Sequence, residues 1–299
     1  MSLFDTGAGA VYDRGYRPYD GPRGRRTAAA YALYKATIRR ALGLRRSWRQ
    51  KVAPFVLLGI VTIPAIVNVG VGYVTRNRLI DRIEIVSYRE YVGVSSALLL
   101  FVAIVCPDVI CPDRRQRVLP LMFSRPLTGP DYAGAKFAAI FSILFAFSFI
   151  PQVVLFVGNM LVSDSALDYF TGNLEVIWKV PLAIVVLAAY YAIIGVAIAA
   201  LTDRRIVAGA TVIGLFLVTS VTAAVLLQDI DRRRGSMAAV INVLALPLYL
   251  RDVIFLGSLG RGSPLRGVEH GGWVALTVYL VIMVIAAVVL LRRYRWVER

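Results

Sequence analysis

The sequence predicts an all-α, polytopic membrane protein. The expected architecture is six transmembrane helices, an N-terminal interfacial amphipathic helix and a re-entrant outer segment before the last span. Three observations predict it. Hydrophobic residues make up 58% of the 299 residues and mean hydropathy is +0.69, too apolar for a water-soluble domain of this length. Runs at 54–75, 91–110, 137–161, 180–201, 206–227 and 273–291 are each long enough to cross a hydrocarbon layer, which takes about 20 helical residues. The third observation is where the charge falls.

Lys and Arg number 34 against 18 Asp and Glu. Nucleic-acid binders share such an excess, but here the six runs partition it. With both termini on one face, that face holds 23 basic residues and eight acids, and the other holds 11 and 10. The positive-inside rule assigns the basic face, and so both termini, to the cytoplasm of a plasma-membrane protein. Nucleic acid is not an expected partner; membrane lipids are. An even number of crossings follows, and the segment 237–256 bears on it. Arg251 and Asp252 interrupt that segment after about 14 apolar residues, which suits a re-entrant helix pair better than a crossing. The region 228–272 is therefore placed outside.

Along the chain, residues 1–26 read as a cytoplasmic tail without periodicity or a cleavable signal sequence. Residues 27–52 read as the interfacial helix. Tyr31, Tyr34, Ile38, Ala41 and Trp48 are expected on its apolar face, with Lys35, Arg39, Arg46 and Arg49 on the other. Aromatic rings and arginines suit the headgroup boundary. Pro54 is expected in the first turn of the next helix, where its missing N–H costs nothing. Residues 53–299 then form the six-helix domain.

No nucleotide-binding, metalloprotease or nucleophile motif is present, and the single histidine, His270, falls in a Gly-rich outer segment. The chain is therefore not expected to be an enzyme. Cys106 and Cys111 stand in two CPD tripeptides and give no disulfide framework. Two thiolates could hold a soft cation, but Pro107 and Pro112 make them read as helix-ending residues, and no metal is expected. No ionisable side chain is expected at depth in the spans, which disfavours an ion-coupled secondary transporter. Asn68, Gln152, Ser220 and Thr222 are polar positions that could line a substrate path, while Gly195 and Ala199 are spaced for close helix approach.

The most distinctive stretch is the basic, Pro-punctuated strip 107–136 between the second and third runs. Arg114 to Phe123 can form a surface helix strained at Pro120. Thr128 and Gly129 can turn the chain before Pro130, with Asp131 as N-cap of the third span. An acid and paired arginines, an apolar stretch, and then SRPLTGPDYAGAK opening the next span resemble the permease subunits of type 2 ABC exporters. The segment Asp113–Lys136 is similar to that family's (E/D)RR–xx–TLxxLLSRPLSRxxYLxGK pattern, and GYRPYDGPR (15–23) is similar to the N-terminal stretch of actinobacterial members.

The resemblance implies a dimer of permeases, most simply a homodimer, each contacting a separate ABC ATPase subunit that binds ATP and Mg. It implies that Arg114, Arg115, Leu119, Arg125, Pro126, Leu127 and Tyr132 form the ATPase-coupling loop, beside the interfacial helix with Tyr34, Lys35, Arg39, Arg46 and Trp48. Gln116, Arg117 and Pro120 depart from the acid, glycine and leucine often found there. The implied function is efflux of an apolar or amphipathic substrate. A membrane scaffold that anchors an ATPase without passing a substrate is the alternative from another class.

Overall fold

The structure is a computed structural model that describes residues 25–44, 48–76, 87–92, 95–123, 127–229 and 236–298. It is all-helical among these residues. The helices are α1 (Arg26–Ala41), α2 (Trp48–Arg76), α3 (Tyr88–Tyr91), α4 (Ser95–Arg115), α5 (Leu119–Phe123), α6 (Gly129–Val162), α7 (Ala166–Gly172), α8 (Leu174–Leu201), α9 (Arg205–Asp229), α10 (Leu246–Leu256) and α11 (Gly271–Glu298). Five of them, α2, α6, α8, α9 and α11, are long and apolar enough to cross a membrane. The remaining run, 91–110, lies mostly on α4, whose 21 residues rise about 31 Å. Large apolar side chains point outward from these helices, including Ile60 and Ile66 of α2 and Val218 and Val221 of α9. Such surfaces belong in hydrocarbon.

The alternation of long helices puts α1, α5 and the turn 202–204 at one end of the bundle, called here the near end. It puts α3, α7 and α10 at the other, the far end. At the far end α10 packs on α8, α11 and α3. Its 11 residues rise about 16 Å, too short for a crossing. Arg251 donates to Asp252 at 2.8 Å and to the Val92 carbonyl at 3.0 Å, which fastens α10 to the turn after α3.

Helix α8 is the axis of the bundle, with α4, α6, α9, α10 and α11 packed around it. Its sequence explains this, since Ala183, Ala188, Ala192, Gly195 and Ala199 clear space for neighbours between larger residues such as Leu187 and Tyr191. At Gly195 an added Cβ would overlap Val102 and lie 2.9 Å from Cys106 Sγ. One turn on, the Ala199 carbonyl accepts from Cys111 Sγ at 3.7 Å. The two cysteines are thus buried, free packing residues on one continuous helix.

Three expectations are corrected. Pro107 and Pro112 do not end their helix; α4 runs through both to Arg115. Pro107 has no N–H for the carbonyl of Ala103, four residues back. A Cβ on Gly209 of α9 would sit 2.8 Å from that same oxygen, so the relaxed turn becomes a seat for α9. The amphipathic helix ends at Ala41 rather than 52, so Trp48 opens α2 and Pro54 lies inside that helix, not in its first turn. Tyr31, expected on the apolar face of that helix, is exposed. Asp108 falls inside the 91–110 run, at its near end, where it pairs with Arg205.

Gly195→Val should destabilise the protein by about 1–3 kcal/mol, the range for overpacking a close contact. The check is a lowered thermal midpoint of the purified protein, with Gly214→Ala, which meets open space, as the control.

Candidate functional site: a buried carboxylate joining four helices

Three polar residues of the near end are each only 2% exposed: Asp113 in the last turn of α4, Lys136 in the second turn of α6, and Thr37 of α1. Carboxylate and ammonium meet directly. Asp113 Oδ2 accepts from Lys136 Nζ at 2.7 Å and from the Tyr132 hydroxyl at 2.8 Å. Its Oδ1 accepts from Arg40 Nη1 at 2.6 Å. Lys136 also donates to the Val109 carbonyl at 3.2 Å, and its Nζ lies 5.3 Å from the centre of the Tyr132 ring. That ring packs against Tyr294 of α11 with centroids 4.8 Å apart. One acid therefore holds α1, α4 and α6 together, and the tyrosine pair adds α11.

Buried charge is tolerable only with its hydrogen bonds made. Burial by itself pushes the Asp113 carboxyl up, but Lys136, the Tyr132 hydroxyl and Arg40 together outweigh it and hold the group below its ordinary value of 3.8. Because the folded value is depressed, the stabilisation is complete above the unfolded value near 3.8 and is lost as pH falls below it.

A second tie fixes the other end of α1. Arg26 Nε and Nη2 reach Asp131 at 2.6 and 2.9 Å, and Nη2 reaches Thr128 Oγ1 at 3.0 Å. Asp131 is not the N-cap expected from sequence. Thr128 is the N-cap of α6, and Asp131 at N3 accepts from its backbone N–H at 3.0 Å and its hydroxyl at 2.8 Å, a capping box. Tyr34 donates to Ser142 at 3.0 Å between the two ties.

The strip between Asp113 and Asp131 bends at Gln116–Val118, not at Pro120. Arg117 has φ +51°, a left-handed conformation that costs a non-glycine residue roughly 1–2 kcal/mol. Pro120 sits in the second position of α5, where its missing N–H is harmless.

The expected coupling residues divide. Arg115 is exposed, beside Gln116 and Arg117. It lines a cleft of about 860 Å³ with Asp203, Arg204 and Arg205. Arg114 instead turns inward and donates to the Ala200 carbonyl at 2.6 Å, closing the end of α8. Leu119, Leu127 and Tyr132 are buried in the chain's own core, which corrects their assignment as direct contacts. Arg125 and Pro126 lie outside the described residues, as does Arg46. Lys35 is exposed and Arg39 half-buried on α1.

The four possible path residues do not form one seam. Asn68 and Gln152 are buried on α2 and α6, which pack together. Ser220 of α9 instead donates to Asn242 at 2.9 Å, and Thr222 is exposed. Arg26, Arg40, Asp113 and Lys136 were missed as a constellation. For Arg40 there was a signal, since it lies one turn from Thr37 on the same side of the helix.

Asp113→Asn should cost about 3–5 kcal/mol, because it strands Lys136 and Arg40 at a buried site. Arg115→Gln, at an exposed position, should fall within about 0.5 kcal/mol of the unaltered chain. Thermal unfolding of the purified variants checks both, and in the unaltered protein the midpoint should drop as pH is taken below 3.8. No family model matches the chain, and no curated protein matches it either.

Proposed function

We propose that this chain is the permease subunit of a type 2 ABC exporter, working as a dimer with a separate ATPase that binds ATP and Mg. In this reading the six runs cross the plasma membrane with both termini in the cytoplasm, and 228–272 is a re-entrant outer segment. The observation that carries the reading is the double fastening of α1 to the strip 113–136. Arg40 to Asp113 and Arg26 to Asp131 bind the interfacial helix to both ends of the segment that resembles a coupling loop. A force applied to that face by a partner reaches α4, α6 and α11 through bonded groups rather than through a compliant loop.

Exposed charged groups on that face include Arg115, Arg117, Arg204 and Arg205, with Lys35 on α1, and they outnumber the exposed acid Asp203 beside them. They favour a partner carrying carboxylates. Closure of two ATPase subunits around ATP would shift this cytoplasmic unit and part the bundles outward, releasing an apolar or amphipathic cargo.

The test is co-purification with an ATPase encoded in the adjacent reading frame. Reversing Arg115 and Arg117 together to Glu should lower recovery of the ATPase by about tenfold or more, since each reversed rim charge becomes a repulsion. Arg261→Gln, at an exposed far-end position, should leave recovery unchanged. Full recovery with both near-end charges reversed would overturn the docking face.

A further inference from the structure

At the far end, α3, α6, α7 and α8 enclose an apolar cavity of about 240 Å³. Phe149 and Phe156 of α6, Phe170 of α7, Ile177 of α8 and Tyr88 of α3 form its walls, with Gln152 among them. The space exceeds the roughly 150 Å³ apolar cavity that admits benzene. It opens sideways, where Val153, Phe170 and Ile177 are each more than two-fifths exposed. Above it, two helical turns beyond Gln152, the Tyr88 and Tyr169 hydroxyls bond at 2.6 Å and Asn159 donates to Tyr88 at 3.2 Å. A guest therefore enters from the side, from surrounding hydrocarbon.

Gln152 is the one amide in this wall and is only 3% exposed. Its Nε2 donates to the Tyr88 carbonyl at 3.3 Å, which fixes which end of the amide is oxygen. The oxygen, Oε1, has no hydrogen-bond partner among the described residues. Buried polar atoms are ordinarily bonded, so this one needs a donor. Water is a poor candidate, because it requires two to four polar partners and apolar cavities of this kind stay dry. Oε1 is itself enclosed in this conformation, and the amide's terminal torsion is soft, so the bound state requires the amide to rotate Oε1 to the guest.

We propose that this cavity binds the alkyl chain of an amphiphile whose hydroxyl donates to Gln152 Oε1. The chain fills the aromatic walls and the hydroxyl satisfies the stranded acceptor. The site stands apart from the permease reading, because binding needs neither ATP nor a second subunit.

Photolabelling of the full chain in nanodiscs with a diazirine-bearing octanol, against the matching diazirine-bearing octane, tests it. Peptide mapping should place octanol adducts on 149–156 and 176–181, above octane by about threefold to tenfold, the worth of one hydrogen bond. Gln152→Leu should remove that preference while leaving octane labelling in place, and Val153→Trp, which fills the mouth, should suppress both probes. Equal labelling by the two probes in the unaltered chain, or adducts that avoid both segments, would overturn the proposal. So would a Gln152→Leu chain that keeps its preference for the alcohol.

Discussion

The near end of this protein is organised by a single carboxylate. Asp113 accepts hydrogen bonds from Arg40, Lys136 and Tyr132, which come from two other helices and satisfy both of its oxygens. Without them the acid could not remain ionised in the last turn of α4, and α1 would lose its buried fastening and keep only the outer bonds of Arg26 and Tyr34. A buried ion group adds little net stability over a well-packed apolar one, but it admits few alternative arrangements. The register of α1 against α4 and α6 is therefore set by charge, while the register of α4 against α8 and α9 is set by the small residues Gly195 and Gly209.

These two kinds of constraint differ in how far they could be read from the sequence. Apolar runs announce long helices because nothing else satisfies backbone polar groups in hydrocarbon, and the positions of α2, α6, α8, α9 and α11 follow them closely. Ends were harder. Prolines at 107 and 112 look like stops, yet α4 continues through both, and the Ala103 carbonyl that Pro107 leaves without a partner faces Gly209 of α9. The sequence suggests a turn at Thr128–Gly129 and a cap at Asp131, but only the bond directions show that Thr128 is the cap and Asp131 its capping-box partner.

The polar constellation was the least legible part. Lys136 precedes an apolar run and looks like a boundary residue. Arg40 lies in a basic helix where only its place one turn from Thr37 separates it from Arg39. Pairing across 73 and 23 residues depends on helices crossing in space, which no local pattern encodes. Arg114 and Arg115 make the same point within one dipeptide: a 100° step around the helix turns one toward the Ala200 carbonyl and leaves the other in the open.

The two fastenings of α1 are unequal. Arg40 meets Asp113 where the acid is 3% exposed, whereas the Arg26 side chain facing Asp131 is 60% exposed. The outer pair is screened by salt and is worth at most about 1 kcal/mol, while the inner one is not readily exchanged for water. Helix α1 is consequently hinged at its C-terminal end, with an arm of about 21 Å from Arg40 to the weakly held Arg26 end. Raising ionic strength should loosen the tip long before the fulcrum yields.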